Sequence, residues 1–224
     1  MPYRTVILAQ DQIYHVYNRG VAAMPIFHSS KDYSRFLALV DYYRFINTPA
    51  SFSQVMKLPY DERDKIFAGL RKENKTHVDI LSFCLMPNHF HLLLKQLTEK
   101  GISIFLSNLQ NGYAKYFNIK NSRVGPLFQS MFKAVRVDTD EQLTHVSRYI
   151  HLNPSTGYIV EPKNLLEYHW FSLGTYLKEG KVYPFMSVDL ILGLFKNRQG
   201  YYQFVLNQAD YQRELDKIKH LALE

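Results

Sequence analysis

Two apolar strands meet at a short break in the stretch Leu85-Met86-Pro87-Asn88-His89-Phe90-His91-Leu92-Leu93-Leu94. The break contains a proline, which cannot donate a hydrogen bond to a central β-ladder. We therefore predict strands over residues 78–85 and 89–95. Alternate side chains of a strand share one face, so His89 and His91 point the same way. Such a pair can hold one metal ion, although an isolated pair of this kind is more often simply hydrogen-bonded.

The rest of the hydrophobic periodicity predicts an α+β fold, in which an antiparallel sheet carries packed helices. The other predicted core elements are strands over residues 13–18 and 132–137 and helices over residues 31–46, 101–119 and 139–153. Residues 48–75 are polar and mixed, with a short helix around residues 60–70, and form an excursion between core elements. Asp138, with Glu141 three residues on, is the predicted N-cap of the last helix.

A second motif, Arg148-Tyr149-Ile150-His151-Leu152-Asn153-Pro154, stands at the end of that helix. Tyr149 and Asn153 are four residues apart and therefore lie one turn apart on the same face. Pro154 disfavours helical geometry at Asn153, so we expect Asn153 at the helix C-terminus, where the dipole favours a cation. A tyrosine, a neutral oxygen ligand and two imidazoles make a mixed site that suits Mg²⁺ or Mn²⁺ holding a phosphate.

Composition limits the classes of protein to consider. The chain has 224 residues, a formal net charge of +7 and a hydrophobic content of 46%, which together indicate a folded protein compatible with a polyanionic partner. Its single cysteine, Cys84, excludes a disulfide framework and a cysteine-based zinc cluster. No apolar stretch approaches the length of a membrane span, and the N-terminus has no basic start followed by a long apolar run. We therefore expect a cytoplasmic protein without membrane contact.

The sequence pattern changes after Trp170, where short, charge-rich segments follow one another. We predict helices over residues 188–195, 200–206 and 209–221. These form a C-terminal helical extension over residues 181–224, appended to a main domain over residues 1–180.

Several motifs, in the right order, resemble those of the HUH single-tyrosine transposases, and most closely those of the REP-associated tyrosine transposases. The resemblance covers about residues 13 to 177. The motifs are His15-Val16-Tyr17-Asn18-Arg19-Gly20, Cys84-Leu85-Met86-Pro87-Asn88-His89-Phe90-His91, Tyr113-Ala114-Lys115-Tyr116-Phe117-Asn118, Gly125-Pro126-Leu127-Phe128-Gln129 and Tyr149-Ile150-His151-Leu152-Asn153-Pro154.

The resemblance implies a ferredoxin-like, RRM-like fold for the main domain. It places His89 and His91 on a central strand, faced by Tyr149 on a helix. It also selects Tyr149 as the nucleophile over two rivals, Tyr113 and Tyr116. Asn153 would then be the third ligand of the Mg²⁺ or Mn²⁺ ion.

The implied activity is that of a DNA transposase, located in the cytoplasm at the nucleoid. Tyr149 would attack a backbone phosphate of single-stranded DNA that contains a palindromic hairpin. The attack leaves a covalent 5′-phosphotyrosine and a free 3′-hydroxyl, which can reverse the step and join strands. Relatives act as dimers or, among the REP-associated proteins, as monomers, so both states remain open.

Four cations are candidates for phosphate contacts: Arg19, Lys115, Lys133 and Arg148. The chain also departs from the family pattern. Met131 stands where many relatives carry an arginine, and Ser155-Thr156-Gly157 stands where relatives often have a valine and a basic residue. We expect these departures to affect DNA affinity or target choice and to leave the catalytic residues intact.

Two alternatives make different predictions. A domesticated RRM-like protein would bind hairpin nucleic acid without cutting it, and would not need the hydroxyl of Tyr149. A hydrolytic metallophosphoesterase would use metal-bound water, but the sequence lacks the dense carboxylate cluster of a two-metal centre.

Overall fold

The computed structural model describes residues 6–207 and contains a four-stranded antiparallel sheet. Its strands are β1 (Ile13–Arg19), β2 (Val78–Met86), β3 (His89–Gln96) and β4 (Lys133–Val137). They lie in the order β2-β3-β1-β4, and every neighbouring pair is antiparallel. This is the ferredoxin-like arrangement that the resemblance to the transposase family implies. The predicted helix over residues 209–221 lies outside the described residues.

Helices cover both faces of the sheet. They are α1 (Ser30–Tyr43), α2 (Phe52–Val55), α3 (Tyr60–Glu73), α4 (Gly101–Lys120), α5 (Asp140–Thr156), α6 (Leu173–Leu177), α7 (Asp189–Leu192) and α8 (Arg198–Leu206). Helices α1 and α4 share one core with Val16, Phe90 and Leu92 of the strands. Helices α5 and α8 share the opposite core with Leu93 and Val137. Within residues 6–207, no helix is both long and apolar enough to cross a bilayer.

The hairpin between β2 and β3 is tight, because Met86 pairs with His89 and only Pro87 and Asn88 connect them. The end of β1 braces this turn, since Gly20 N donates to the Asn88 carbonyl at 2.9 Å. The first histidine of the pair therefore sits at a fixed corner of the sheet.

Helix α5 is longer than predicted, and Pro154 lies inside its last turn. The prediction that the helix ends at Asn153 is wrong. Proline removes only its own backbone donor, and the ladder resumes when Gly157 N donates to the Asn153 carbonyl at 2.8 Å. Asn153 is therefore a helical residue in the final turn.

A buried carboxylate, Asp32, ties α1 to α4. It accepts hydrogen bonds from Lys120 Nζ at 2.6 Å and Tyr116 Oη at 2.9 Å, and from His28 N and Ser29 Oγ at 3.0 Å. Burial alone raises the pKa of Asp32, but the hydrogen bonds, led by that of Lys120, outweigh it and the net pKa is lowered.

We predict that Asp32→Asn destabilises the protein by about 2–4 kcal/mol at pH 7, because a buried amide replaces the buried carboxylate and cannot accept from all four donors or pair with the Lys120 cation. A lowered folded-state pKa contributes stability above the unfolded value of about 3.9, and this contribution is lost as pH falls through the folded-state value. In urea unfolding, the difference in free energy of unfolding between wild type and Asp32→Asn should therefore become smaller below about pH 4. Asp41→Asn, at the partly exposed Arg44 pair on the same helix, should cost less than about 1 kcal/mol. A pH-independent loss in Asp32→Asn would contradict the charge argument.

Helix α8 is joined to α5 by a buried polar network. Tyr201 Oη lies 2.7 Å from His151 Nδ1 and 2.5 Å from Ser147 Oγ, and His151 Nε2 lies 2.7 Å from Ser172 Oγ. All four side chains are fully buried. Burial lowers the pKa of His151 to about 3, so the imidazole stays neutral. The helix that carries Tyr149 is thereby held by the C-terminal part of the chain.

We predict that Tyr201→Phe lowers the free energy of unfolding by about 2–4 kcal/mol, because it leaves His151 and Ser147 unsatisfied in the core. Urea unfolding followed by circular dichroism measures this loss. Tyr202→Phe, at the partly exposed neighbouring position, is the control and should change stability by about 0.5 kcal/mol or less. Equal losses in the two variants would show that the network does not stabilise the fold.

Candidate active site

A cavity of about 540 Å³ opens on the face of the sheet that carries α5. Three strands and one helix contribute histidine, tyrosine or cationic side chains to it. The lining residues are His15, Tyr17, Asn18 and Arg19 of β1, His89 and His91 of β3, Gln129 of the loop before β4, Lys133 and Val135 of β4, and Tyr149 of α5.

Strand register explains why these side chains meet. Tyr17 of β1 lies opposite His91 on one side and Lys133 on the other, and Arg19 lies opposite His89. Directly paired residues of antiparallel strands project from the same face. On this face of β3, Leu93 belongs to the hydrophobic core under α5, whereas His91 and His89 line the cavity. The cavity therefore begins where that core ends.

Both histidines of the pair are held by protein contacts through Nδ1. His89 Nδ1 lies 2.6 Å from Asn88 Oδ1, and His91 Nδ1 lies 2.9 Å from His15 Nε2. The ring centroids of His89 and His91 are 4.9 Å apart, with their planes at 84°. These contacts leave Nε2 of each ring for a ligand.

The environment keeps the three imidazoles neutral. Burial, with a smaller effect of Arg19, lowers the pKa of His89 to about 4, and burial lowers the pKa of His15 to about 4. Burial also lowers the pKa of His91, with further contributions from His15, His89 and Arg19. Neutral imidazole is the form that binds metal ions. All three rings are therefore neutral at pH 7, the form in which an imidazole can act as a metal ligand.

Tyr149 is 42% exposed, and its ring lies 5.6 Å from that of His91 and 5.9 Å from that of His15. The two rivals lie among the helices of the opposite face, where their hydroxyls are engaged. Tyr113 donates to the Ile26 carbonyl at 2.6 Å, and Tyr116 donates to the Asp32 carboxylate. The cavity does contain another tyrosine, Tyr17, whose ring is also 5.6 Å from His91.

Asn153 lies one turn beyond Tyr149 but is not among the residues that line the cavity. Its Nδ2 donates to the Tyr149 carbonyl at 2.9 Å, and it is 6% exposed. No group of three or more His, Cys, Asp or Glu side chains suited to a metal occurs in the described part of the chain. By residue type, two imidazoles and a neutral amide oxygen suit a divalent cation with open positions for phosphate oxygens. Of these three groups, only the two imidazoles line the cavity.

The predicted phosphate-binding cations divide into two groups. Arg19 and Lys133 line the cavity. Lys115 is exposed on α4 and lies outside it. Arg148 is 6% exposed, and its guanidinium packs 4.3 Å above the ring of Phe204 in α8. Of the four candidates, only Arg19 and Lys133 share the cavity with Tyr149.

Our sequence reasoning did not assign a role to His15, Tyr17, Asn18 or Gln129. The signal for two of them was present, because Arg19 was a candidate and the strand period of two places Tyr17 and His15 on its face. Gln129 carries no such signal, since it lies in the loop before β4.

Residues 42–153, half of the chain, match the family model described as IS200-like transposase. The chain belongs to the IS200-like transposase family. The matched segment contains His89, His91 and Tyr149, and it ends at Asn153. No curated protein matches this transposase in sequence.

This transposase is also similar to a solved structure of a REP-associated tyrosine transposase bound to a REP hairpin. The TM-score is 0.51 at 12% sequence identity, and the match covers 84% of this chain and 92% of that chain. The likeness shows a common fold, in agreement with the four-stranded antiparallel sheet and its packed helices.

Proposed function

We propose that this transposase cleaves and rejoins hairpin-containing single-stranded DNA through a covalent 5′-phosphotyrosine on Tyr149. One observation carries the proposal: Tyr149 and both histidines of the pair line a single cavity with Arg19 and Lys133. A hydroxyl nucleophile, two neutral metal-binding groups and two cations form a site for a reacting phosphodiester.

The chemical step exchanges one phosphodiester for another. Tyr149 Oη attacks the phosphorus, the bond from phosphorus to the 3′ oxygen breaks, and the phenolic proton is lost while the leaving oxygen gains one. The 5′ phosphate stays on Tyr149, and the free 3′-hydroxyl can reverse the attack to join strands. No water or nucleotide cofactor is consumed.

His89 and His91, through Nε2, and Asn153, through its amide oxygen, are the proposed ligands of a Mg²⁺ or Mn²⁺ ion. When bound, the ion polarises the scissile phosphate and stabilises the charge that develops on it, as a nucleophile with a free pKa near 10 requires. The protein keeps its ligands neutral and oriented, so no proton has to leave a histidine before binding.

The proposed substrate follows from charge, aromatic surface and fold. Arg19 and Lys133 would contact backbone phosphates, and the ring of Tyr17 offers a stacking surface for an unpaired base. The structural neighbour is bound to a REP hairpin, which supports a palindromic hairpin as the recognised shape. Because Tyr149 and both proposed histidine ligands of one chain line one cavity, we propose that a single copy can cleave. For an activity on such DNA, we propose a location in the cytoplasm, at the nucleoid.

A denaturing gel tests the proposal. Labelled hairpin-containing single strands are incubated with the protein and Mn²⁺ or Mg²⁺, with and without chelator. We expect a cleaved 3′-hydroxyl fragment and a slower species that protease removes, both dependent on metal. Mass spectrometry should find the nucleotide adduct on the peptide that contains Tyr149.

The other outcomes separate the alternatives. Hairpin binding without cleavage across many sequences would indicate the RRM-like binding protein. Metal-dependent cleavage without a covalent adduct would indicate hydrolysis by metal-bound water.

A further inference from the structure

The two histidines of the candidate site are each held at Nδ1 by a different neighbour. His89 contacts Asn88 Oδ1 at 2.6 Å, at the corner of the β2–β3 hairpin. His91 contacts His15 Nε2 at 2.9 Å, across to β1. Neither Asn88 nor His15 is a proposed ligand or nucleophile, so these contacts need a separate explanation.

The amide of Asn88 determines which nitrogen of His89 carries the proton. Its Nδ2 donates to the Ala23 carbonyl at 3.2 Å, which fixes the amide orientation and leaves Oδ1 facing the ring. A turned amide would bring two carbonyl oxygens together at Ala23. An amide oxygen can only accept a hydrogen bond, so His89 donates from Nδ1. In a neutral ring the lone pair is then on Nε2.

The contact between His15 and His91 has two possible directions, because each neutral ring has one donor and one acceptor. If His15 donates, the proton of His91 lies on Nε2 and that nitrogen cannot bind a cation. If His15 accepts through Nε2, His91 is protonated at Nδ1 and its Nε2 carries the lone pair. Only the second direction gives two Nε2 lone pairs from one strand face.

We propose that Asn88 and His15 are positioning residues, which hold His89 and His91 in the Nδ1-protonated form and aim both Nε2 atoms at one cation. Neighbours that accept from the far nitrogen of a ligating histidine orient the ring and raise its basicity. The inference rests on the proposed function insofar as a divalent cation is the ligand.

Two substitutions at Asn88 separate this role from a purely structural one. Asn88→Ala removes the acceptor and should weaken Mn²⁺ binding to the metal-free protein roughly 10–100-fold in calorimetry. Asn88→Asp keeps an acceptor for His89 but, like alanine, loses the donor to Ala23. We expect Asn88→Asp to bind Mn²⁺ at least as tightly as wild type. Equal weakening in both variants would overturn the inference and assign Asn88 to the turn alone.

His15→Phe tests the second contact, since it keeps a planar ring and removes the acceptor. Mn²⁺ affinity should again fall roughly 10–100-fold. Asn108→Ala, at an exposed position on α4 outside the cavity, is the control and should bind as wild type does. An unchanged affinity in His15→Phe would overturn the role of His15.

Nitrogen-15 NMR of the imidazoles gives an answer without metal. The metal-free wild type should show His89 and His91 protonated at Nδ1, and Asn88→Ala should lose this preference at His89. Protonation of His89 at Nε2 in wild type would overturn the inference. If wild type fails to bind Mn²⁺ while its rings are protonated at Nδ1, the metal of the proposed function is wrong, and only the control of the two ring protons by Asn88 and His15 stands.

Discussion

The Tyr149→Phe protein should form no covalent adduct with hairpin DNA, and its cleavage should fall by roughly 10⁴-fold or more. Removal of the nucleophile in a covalent mechanism leaves only substrate binding and electrostatic stabilisation. The ring of Tyr149 contacts the rings of His91 and His15, and a phenylalanine ring can keep both contacts. Hairpin binding, measured by gel shift in the absence of metal, should therefore stay within about threefold of wild type.

Tyr17→Phe is the matched control, because Tyr17 lines the same cavity and lies at the same ring distance from His91. It should retain metal-dependent adduct formation. If Tyr17→Phe lost the adduct while Tyr149→Phe kept it, the nucleophile would be on β1 and the assignment to α5 would be wrong. Tyr60→Phe, at an exposed position on α3, tests for non-specific effects of losing a hydroxyl.

The central hairpin was predictable because its signals are local. A run of apolar residues interrupted by Pro87 specifies two strands, and strand geometry alone puts His89 and His91 on one face. Both strands end within a residue of the prediction. Helix α4 was similarly predictable, since its apolar residues repeat at helical spacing over its length.

Contacts between distant elements were not predictable from spacing. Arg148 adjoins Tyr149 in sequence, which made it a candidate for phosphate binding, but successive helical residues point in different directions and Phe204 of α8 covers its guanidinium. His15 was not predicted as a site residue, because it is distant from the histidine pair in sequence although it is close to it in the structure. Its contact with His91 joins β1 to β3, and it depends on a register that the single sequence does not specify.

The two ends of α5 differ from the prediction by a few residues, because the competing capping and proline preferences there are similar in energy. Asp138 and Thr139 are both good N-caps, and the structure uses Thr139, whose Oγ1 accepts from Gln142 N at 3.1 Å. Asp138 N instead donates to Gln142 Oε1 at 2.8 Å. At the other end, packing of the buried residues around Pro154 outweighs its cost to the helix.

The other large effect is expected at His91. His91→Ala should weaken Mn²⁺ binding by roughly a hundredfold or more, because loss of a direct ligand costs at least as much as loss of a neighbour that only orients one. Calorimetry on the metal-free protein measures this without DNA. Cleavage of hairpin DNA should fall in parallel and recover in part at high Mn²⁺ concentration, as expected when ligand loss raises the concentration required for half-saturation.

His169→Ala is the matched control, since His169 is an exposed histidine outside the candidate site. It should bind Mn²⁺ as wild type does, which would exclude a general affinity of surface histidines. We expect a larger loss of Mn²⁺ affinity from substitution of His91 than of His89. His91 is 5% exposed and contacts both His15 and Tyr149, whereas His89 is only partly buried. Wild-type Mn²⁺ affinity in His91→Ala, with cleavage lost, would assign the ring to the phosphate or to Tyr149 instead of to the cation.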